Sequence, residues 1–383
     1  MRWFPFLVLP ILGACATPPG MDDATPSADF PAVAEWTTLD LGHPDNYADP
    51  SLPAPYRDPA VTALDNGRHD PITDRGATLG RVLFFDPRLS VNDRVSCASC
   101  HLPSHGFGDT AAFSIGHAGT PLAIRTMRLV NARWYAGPGF LWDRRAPTLE
   151  AQATQPIVHP LEMGWDPAHG GLDALRQKMT RLPYYPELFR WAWGSDAITT
   201  DRLRRALAMY VRSIVAVDSR WDRGYAQVYD PDTPDRGVRR DVPTLTTEEN
   251  RGRALFMTPI AEGGLGCAGC HVPPTFALAA DARSNGLRAG ETTVFKAPSL
   301  KDAARTPPYM HSAMLTSLTL VVAFYDGFTQ PGPSLDPRLV PPGGGQLRFG
   351  LSAADREAVA AFLRTLDDLS LPDDPRFQSP FRR

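Results

Sequence analysis

Two short runs carry the chemistry. Cys97-Ala98-Ser99-Cys100-His101 and Cys267-Ala268-Gly269-Cys270-His271 both read C-x-x-C-H. In such a box the two thiols form thioethers to the vinyl groups of a haem, and the adjacent histidine reaches the iron from the proximal side. A redox C-x-x-C pair does not require the trailing histidine. A zinc site would need the two boxes to converge, and the duplicated flanks argue against that. Two covalently bound c-type haems are expected, with His101 and His271 as proximal ligands. The stretch after the first box closes on a further histidine, His117, in the run FSIGH. One proximal histidine per haem leaves it unexplained.

The elements that must position these boxes come as a repeat. GRVLFFDPRLSVNDRVSCASCHLP starts at Gly80 and GRALFMTPIAEGGLGCAGCHVP at Gly252, with the boxes 170 residues apart, Cys97 to Cys267. A period that long points to two duplicated domains rather than a solenoid. Thr246-Thr247-Glu248-Glu249 reads as a helix start. Between the boxes, Leu203, Leu207, Tyr210, Val211 and Ile214 share one face at helical spacing. Ser352 to Asp355 has a capping-box pattern, followed by an apolar face of Val359, Phe362, Leu363 and Leu366. No convincing series of alternating strands is present. The fold expected is all-α, with two cytochrome c-like helical domains. The N-terminal one spans 61–228 and the C-terminal one 246–372. A polar, Pro-rich linker covers 229–245, and a tail covers 373–383.

Composition bounds the rest. The chain has 383 residues, 43% of them hydrophobic and 21% charged, which is ordinary for a globular protein. A formal net charge of −3 gives no support for nucleic-acid binding. After Arg2, the apolar run WFPFLVLPILGA ends at Cys15. It is too short to span a bilayer, which takes about 20 residues, and fits the h-region of an export signal. Leu12-Gly13-Ala14-Cys15 resembles a bacterial lipobox, so residues 1–15 read as a lipoprotein-type signal; an ordinary signal peptide cut after a small residue is the other reading. Residues 16–60 form a Pro-rich tether and N-terminal arm. The five cysteines divide into one for the lipid and four for haem. The chain is expected in the periplasm, held to a membrane by a lipid anchor only.

Taken together, FFDPRLS (84–90), both boxes in order, SIGH after the first, FLWDRRA (140–146), HPLEM (159–163) and FKAPSL with TPPYMH (295–311) resemble the bacterial dihaem cytochrome c peroxidase and MauG superfamily over roughly residues 73–367. The resemblance implies that the N-terminal haem is peroxidatic and the C-terminal one transfers electrons. It implies that His117 is a removable ligand capping the distal side of the first haem, in a loop given freedom by Gly116 and Gly119. Glu162 matches the catalytic acid/base, Gln152 a residue poised to hydrogen-bond peroxide, and Trp142 a tryptophan between the two haems. By themselves these three read as a surface carboxylate, a polar side chain and a core aromatic. On the second haem, the family position of the distal ligand falls on Tyr325. Methionine stands there in peroxidases with a high-potential second haem and tyrosine in MauG. Met310 and Met314 lie nearby, and an open position is the third reading. The family also implies a calcium ion between the domains, with carbonyl oxygens from Thr306 and Pro308. Its asparagine ligand is replaced near Thr126, which leaves the oxygen set short.

The activity implied is reduction of hydrogen peroxide to water, with electrons from a small exported c-type cytochrome or cupredoxin. A MauG-like oxidase that uses peroxide to modify a residue on a partner protein is the alternative. A non-catalytic dihaem electron carrier is a third, and the Glu162 and Gln152 matches speak against it. The Cys15 reading predicts that Cys15→Ser releases the protein into the soluble fraction or blocks its processing. Membrane fractionation with intact-mass analysis checks this, and a mature N-terminus beyond Cys15 would overturn it.

Overall fold

The computed structural model describes residues 29–382; Cys15 and the signal lie outside the described residues. The described residues run through twelve α-helices. In the first half these are α1 (Pro31–Trp36), α2 (Pro59–Thr62), α3 (Asp74–Phe85), α4 (Leu149–Ala153), α5 (Gln155–Val158), α6 (Gly171–Thr180), α7 (Tyr184–Trp193) and α8 (Thr200–Ser213). The remainder are α9 (Arg220–Val228), α10 (Thr247–Met257), α11 (Leu318–Gly327) and α12 (Ala353–Arg364). Among the described residues the one sheet pairs β1 (His271–Val272) with β2 (Ala277–Leu278), antiparallel, with His271 opposite Leu278.

Local chemistry sets the helix starts. Thr73 caps α3 by accepting from the Gly76 amide at 3.0 Å. Thr246 and Glu249 form a full capping box on α10. Ser352 caps α12 by accepting from the Asp355 amide, and its hydroxyl donates to the Asp355 carboxylate. The expected apolar faces are buried: Leu203, Leu207, Tyr210 and Val211 on α8 with Ile214 just past its end, and Val359, Phe362 and Leu363 on α12 with Leu366 just beyond.

The duplication is visible in the packing. Helix α3 lies along α8, and α10 lies along α12. At each crossing the glycine of the G-R-x-L-F run meets a backbone carbonyl. A methyl group on Gly80 would overlap the carbonyl oxygen of Ala206, and one on Gly252 that of Ala358. Each glycine therefore lets two helix backbones approach just ahead of a haem box. The following arginines are also equivalent. Buried Arg81 donates to the carbonyls of Pro375 and Gln378, and buried Arg253 to the carbonyl of Val238 and the carboxylate of Asp241. Each ties its helix to a strap of irregular chain.

Two large apolar clusters result, with a small third one of Tyr56, Val61, Trp134 and Ala277, and the limits of the large ones differ from those expected. Trp221 and Tyr225 of α9 belong to the second cluster, so packing divides the chain before α9 rather than at 228. The segment 229–245 is not a free linker. Val242 is fully buried, and Tyr229 and Arg236 both donate to Asp58. The residues after 372 are not a loose tail either, because Phe377 enters the first cluster and Phe381 packs against it. Turns such as Asp374-Pro375-Arg376 are kept by local side-chain caps, so a Pro-rich sequence need not be loose. The close approach predicts that Gly252→Ala forces α10 off α12 and destabilises the holoprotein by about 1–3 kcal/mol. Chemical denaturation followed by circular dichroism checks this, and an unchanged midpoint would mean the helices do not need the contact.

Candidate functional site

Each box sits on a single tight turn. Cys97–Ser99 is opened by Ser96, whose amide donates to the Ser99 hydroxyl, and Cys267–Gly269 is opened by Gly266 at φ +66°. All four cysteines are free thiols and half-buried. His101 Nδ1 lies 2.8 Å from the Phe107 carbonyl, a contact that orients the ring and leaves Nε2 to act as a ligand. Arg338 donates to the Gly269 carbonyl and so braces the second box. Around that box lies an apolar cavity bounded by Cys267, Cys270, His271, Leu278, Met310 and Tyr325.

The residues fit two haems on an independent ground. Arg128, Arg144 and Lys296 converge between the halves, and among the described residues none of them makes a salt bridge. Lys296 is 4% exposed, contacts Met127 Sδ and lies over the Tyr135 ring. Burial, with Arg144 and Arg128 adding repulsion, brings its pKa down to about 7. Arg128 and Arg144 spend their donors on Thr306 and on carbonyls, and each Nε is buried without a partner. Unpaired buried cations are costly unless an anion joins them. The propionates of a haem are anions of the right kind.

On the distal side of the first box two loops are joined. The His117 amide donates to the Glu162 carbonyl at 2.9 Å, and Asn92 donates to the His117 carbonyl at 2.8 Å. The His117 imidazole is turned to the Pro160 carbonyl, with Nε2 at 3.0 Å. Gly116 and Gly164 permit this contact, since a methyl on either would strike Leu161 or the His117 ring. The loop histidine and Glu162 are thus brought together. Burial raises the Glu162 pKa, opposed by the charges of His159 and Arg145. Burial raises the pKa values of both thiols of the first box, and the Glu162 carboxyl adds a small push in the same direction. His159 was not singled out from the sequence. Its Nδ1 lies 3.6 Å from Glu162 Oε1, and its position three residues ahead of Glu162 in HPLEM was the available signal. Gln152 lies near the end of α4, in the run leading to this loop.

Trp142 bridges the halves. Its indole N–H donates to the Arg125 carbonyl at 2.6 Å, its own carbonyl accepts from the Lys296 amide, and its ring meets His311 edge-on at 6.0 Å. In the second cavity Asn285 Nδ2 lies 3.3 Å from both the Tyr325 hydroxyl and Met310 Sδ. Tyr325 and Met310 thus flank one amide, whereas Met314 is exposed. Burial pushes Tyr325 up to about 12, with Asn285 opposing. The calcium expectation needs correction. The Thr306 carbonyl and that of Pro307, beside Pro308, both accept from the Arg125 guanidinium at 3.1 Å. A cationic fork already holds the Thr306 oxygen that calcium was to take, and the neighbouring Pro307 oxygen with it, so these residues do not fit the ion.

A helical protein with two duplicated C-x-x-C-H turns and a half-buried carboxyl beside one of them defines a class, the dihaem c-type oxidoreductases. The family model of di-haem cytochrome c peroxidases matches residues 74–229. The methylamine utilization protein MauG of Methylorubrum extorquens is 33% identical over 333 residues, covering 82% of this chain and 84% of that protein. Cytochrome c551 peroxidase of Nitrosomonas europaea is 28% identical over 321 residues, covering 79% and 82%. Among solved structures, a MauG-like protein associated with microbial copper homeostasis superposes with a TM-score of 0.64 at 25% identity, covering 88% of this chain and 98% of that one. The chain belongs to the dihaem cytochrome c peroxidase and MauG family. It carries two c-type haems and is an oxidoreductase of the cytochrome-c peroxidase type.

The electrostatics of Glu162 yield a prediction that does not depend on turnover. His159 favours the ionised carboxylate, so His159→Gln should move the Glu162 titration to higher pH. Infrared titration of the carboxyl band, assigned by its loss in Glu162→Gln, reads this directly. An unmoved band would remove His159 from the electrostatics of the site.

Proposed function

We propose that this enzyme reduces hydrogen peroxide to two waters, consuming two electrons and two protons. The electrons come from a small exported c-type cytochrome or cupredoxin and enter through the C-terminal half. The haems supply the redox chemistry. The chain supplies proton transfer, access control and the path between the halves.

Glu162 carries the reading. It is a half-buried carboxyl with a raised pKa, near the first box and on a loop hydrogen-bonded to the one that holds His117. Ionised, it takes the proton from one peroxide oxygen and returns it to the other, so the departing oxygen leaves as water. A raised pKa suits both steps, because the carboxylate is then a stronger base and a less reluctant donor of the same proton. Gln152 hydrogen-bonds the peroxide and orients it. His117 is the residue that would cap the first haem at rest, and its hydrogen bond to Pro160 would belong to the open arrangement in which peroxide can enter. Trp142, hydrogen-bonded to the first half and edge-on to His311 of the second, supplies an oxidisable ring on the electron path.

Tyr325 favours a second reading. A half-buried tyrosine as the distal ligand of the second haem would hold that iron in oxidised states and make a stored electron hard to keep. That would direct the oxidising power at a residue of a partner protein. Peroxide-dependent oxidation of a reduced small cytochrome c supports the first reading, and its absence together with peroxide-dependent modification of a partner supports the second. No helix among the described residues is long and apolar enough to cross a membrane. An export-type N-terminus and haem attachment outside the cytoplasm support a periplasmic site, with the Cys15 lipid as anchor.

Glu162→Gln retains size and hydrogen bonding but removes the base. Peroxide consumption should fall by about 10²–10⁴-fold with both haems still attached. In the parent, the rate should fall as pH drops through the raised Glu162 pKa, because the protonated carboxyl cannot accept. Stopped-flow mixing with peroxide across pH checks both, and full activity in Glu162→Gln would remove it from proton transfer.

A further inference from the structure

Arg125 occupies an unusual position. It is 4% exposed, yet among the described residues its guanidinium makes no salt bridge. All of its hydrogen bonds go to backbone carbonyls. Nη1 donates to Ala111 at 2.5 Å, and Nη2 to Asp109 at 2.8 Å and to Thr306 and Pro307 at 3.1 Å each. Two of these oxygens come from the first half of the chain and two from the second. The Asp109 carboxylate is turned elsewhere, toward the Ser114 hydroxyl and the Ala111 amide.

Four converging carbonyls from separate segments are an arrangement suited to a hard cation. Here the positive charge is supplied by a side chain. A guanidinium remains protonated when buried, and its planar fork serves several acceptors at once. A divalent ion added beside it would face both the like charge and oxygens already engaged. The same residue fixes the junction through its backbone. Its amide donates to the His311 carbonyl at 3.0 Å, and its carbonyl takes the Trp142 indole at 2.6 Å.

We propose that Arg125 is the resident cation of the interface between the two halves, standing in for a dissociable metal ion and holding Trp142 in register with His311. The junction is then complete as soon as the chain folds and does not respond to calcium or to chelators. This does not depend on the role of Glu162 or on the electron donor.

The test uses the holoprotein. After dialysis against EGTA, calcium content by mass spectrometry, thermal unfolding and the haem spectrum are measured with and without millimolar CaCl2. The parent should hold well under one equivalent of calcium and should be indifferent to both additions. Arg125→Asn removes the charge and leaves the carbonyls facing an amide oxygen. It should melt at lower temperature and recover saturably with CaCl2, binding one equivalent. Arg125→Lys keeps a cation and should remain indifferent to calcium. One tightly held calcium in the parent, whose removal shifts melting or the haem spectrum, would overturn the proposal, and this arm stands even if a variant fails to fold. A folded Arg125→Asn that ignores CaCl2 would also overturn it, since the carbonyls would then not form a cation site.

Discussion

Positive charge buried where the two halves meet is the constraint on which the rest of this structure depends. Arg128, Arg144 and Lys296 have no carboxylate partner among the described residues, and Arg125 answers only to carbonyls. Burying one such group without compensation would cost several kcal/mol. The arrangement is tolerable because the compensation differs in kind. Fixed backbone dipoles surround Arg125, whereas the acid groups of the haems would compensate the other three. Haem binding and the docking of the halves therefore draw on the same electrostatic account, and Trp142 lies between the two kinds of compensation.

The peroxidatic side is governed by close approach rather than by charge. Gly116 and Gly164 lack side chains where the His117 loop and the Glu162 loop touch. That contact makes the two loops one mechanical unit. Movement of the histidine must disturb the His117 to Glu162 backbone bond, so access to the site and the surroundings of its carboxyl change together.

Much of this was legible in the sequence because it is local. The haem boxes, the Thr246 cap and the buried faces of α8 and α12 follow from spacings of three to four residues. What escaped detection is long-range. Arg125 bonds carbonyls 181 and 182 residues away, and carbonyl acceptors leave no mark on residue type. His159 is harder to read from sequence, because a spacing of three residues outside a regular helix does not by itself bring a histidine to a carboxylate. The run Asp-Pro-Arg recurs at 86–88, 336–338 and 374–376, each time with the aspartate accepting from the arginine amide and Nε. It could have been read as a brace, and in the second instance it holds the box at Gly269. The limits of the two cores were misplaced because Pro-rich, polar segments were equated with looseness.

The strap closing on Arg81 bears on the order of assembly. Its acceptors, Pro375 and Gln378, stand almost 300 residues beyond it, and Phe377 fills the core above α3 and α8. A chain delivered from its N-terminus cannot finish this first core until residues 375–381 have arrived. Until then the helices around Cys97 lack their cover. A protein whose cofactors must be attached by other enzymes gains from such a delay. The Cys97–Cys100 turn then lies on a core that stays open until the strap at 375–381 closes over α3 and α8.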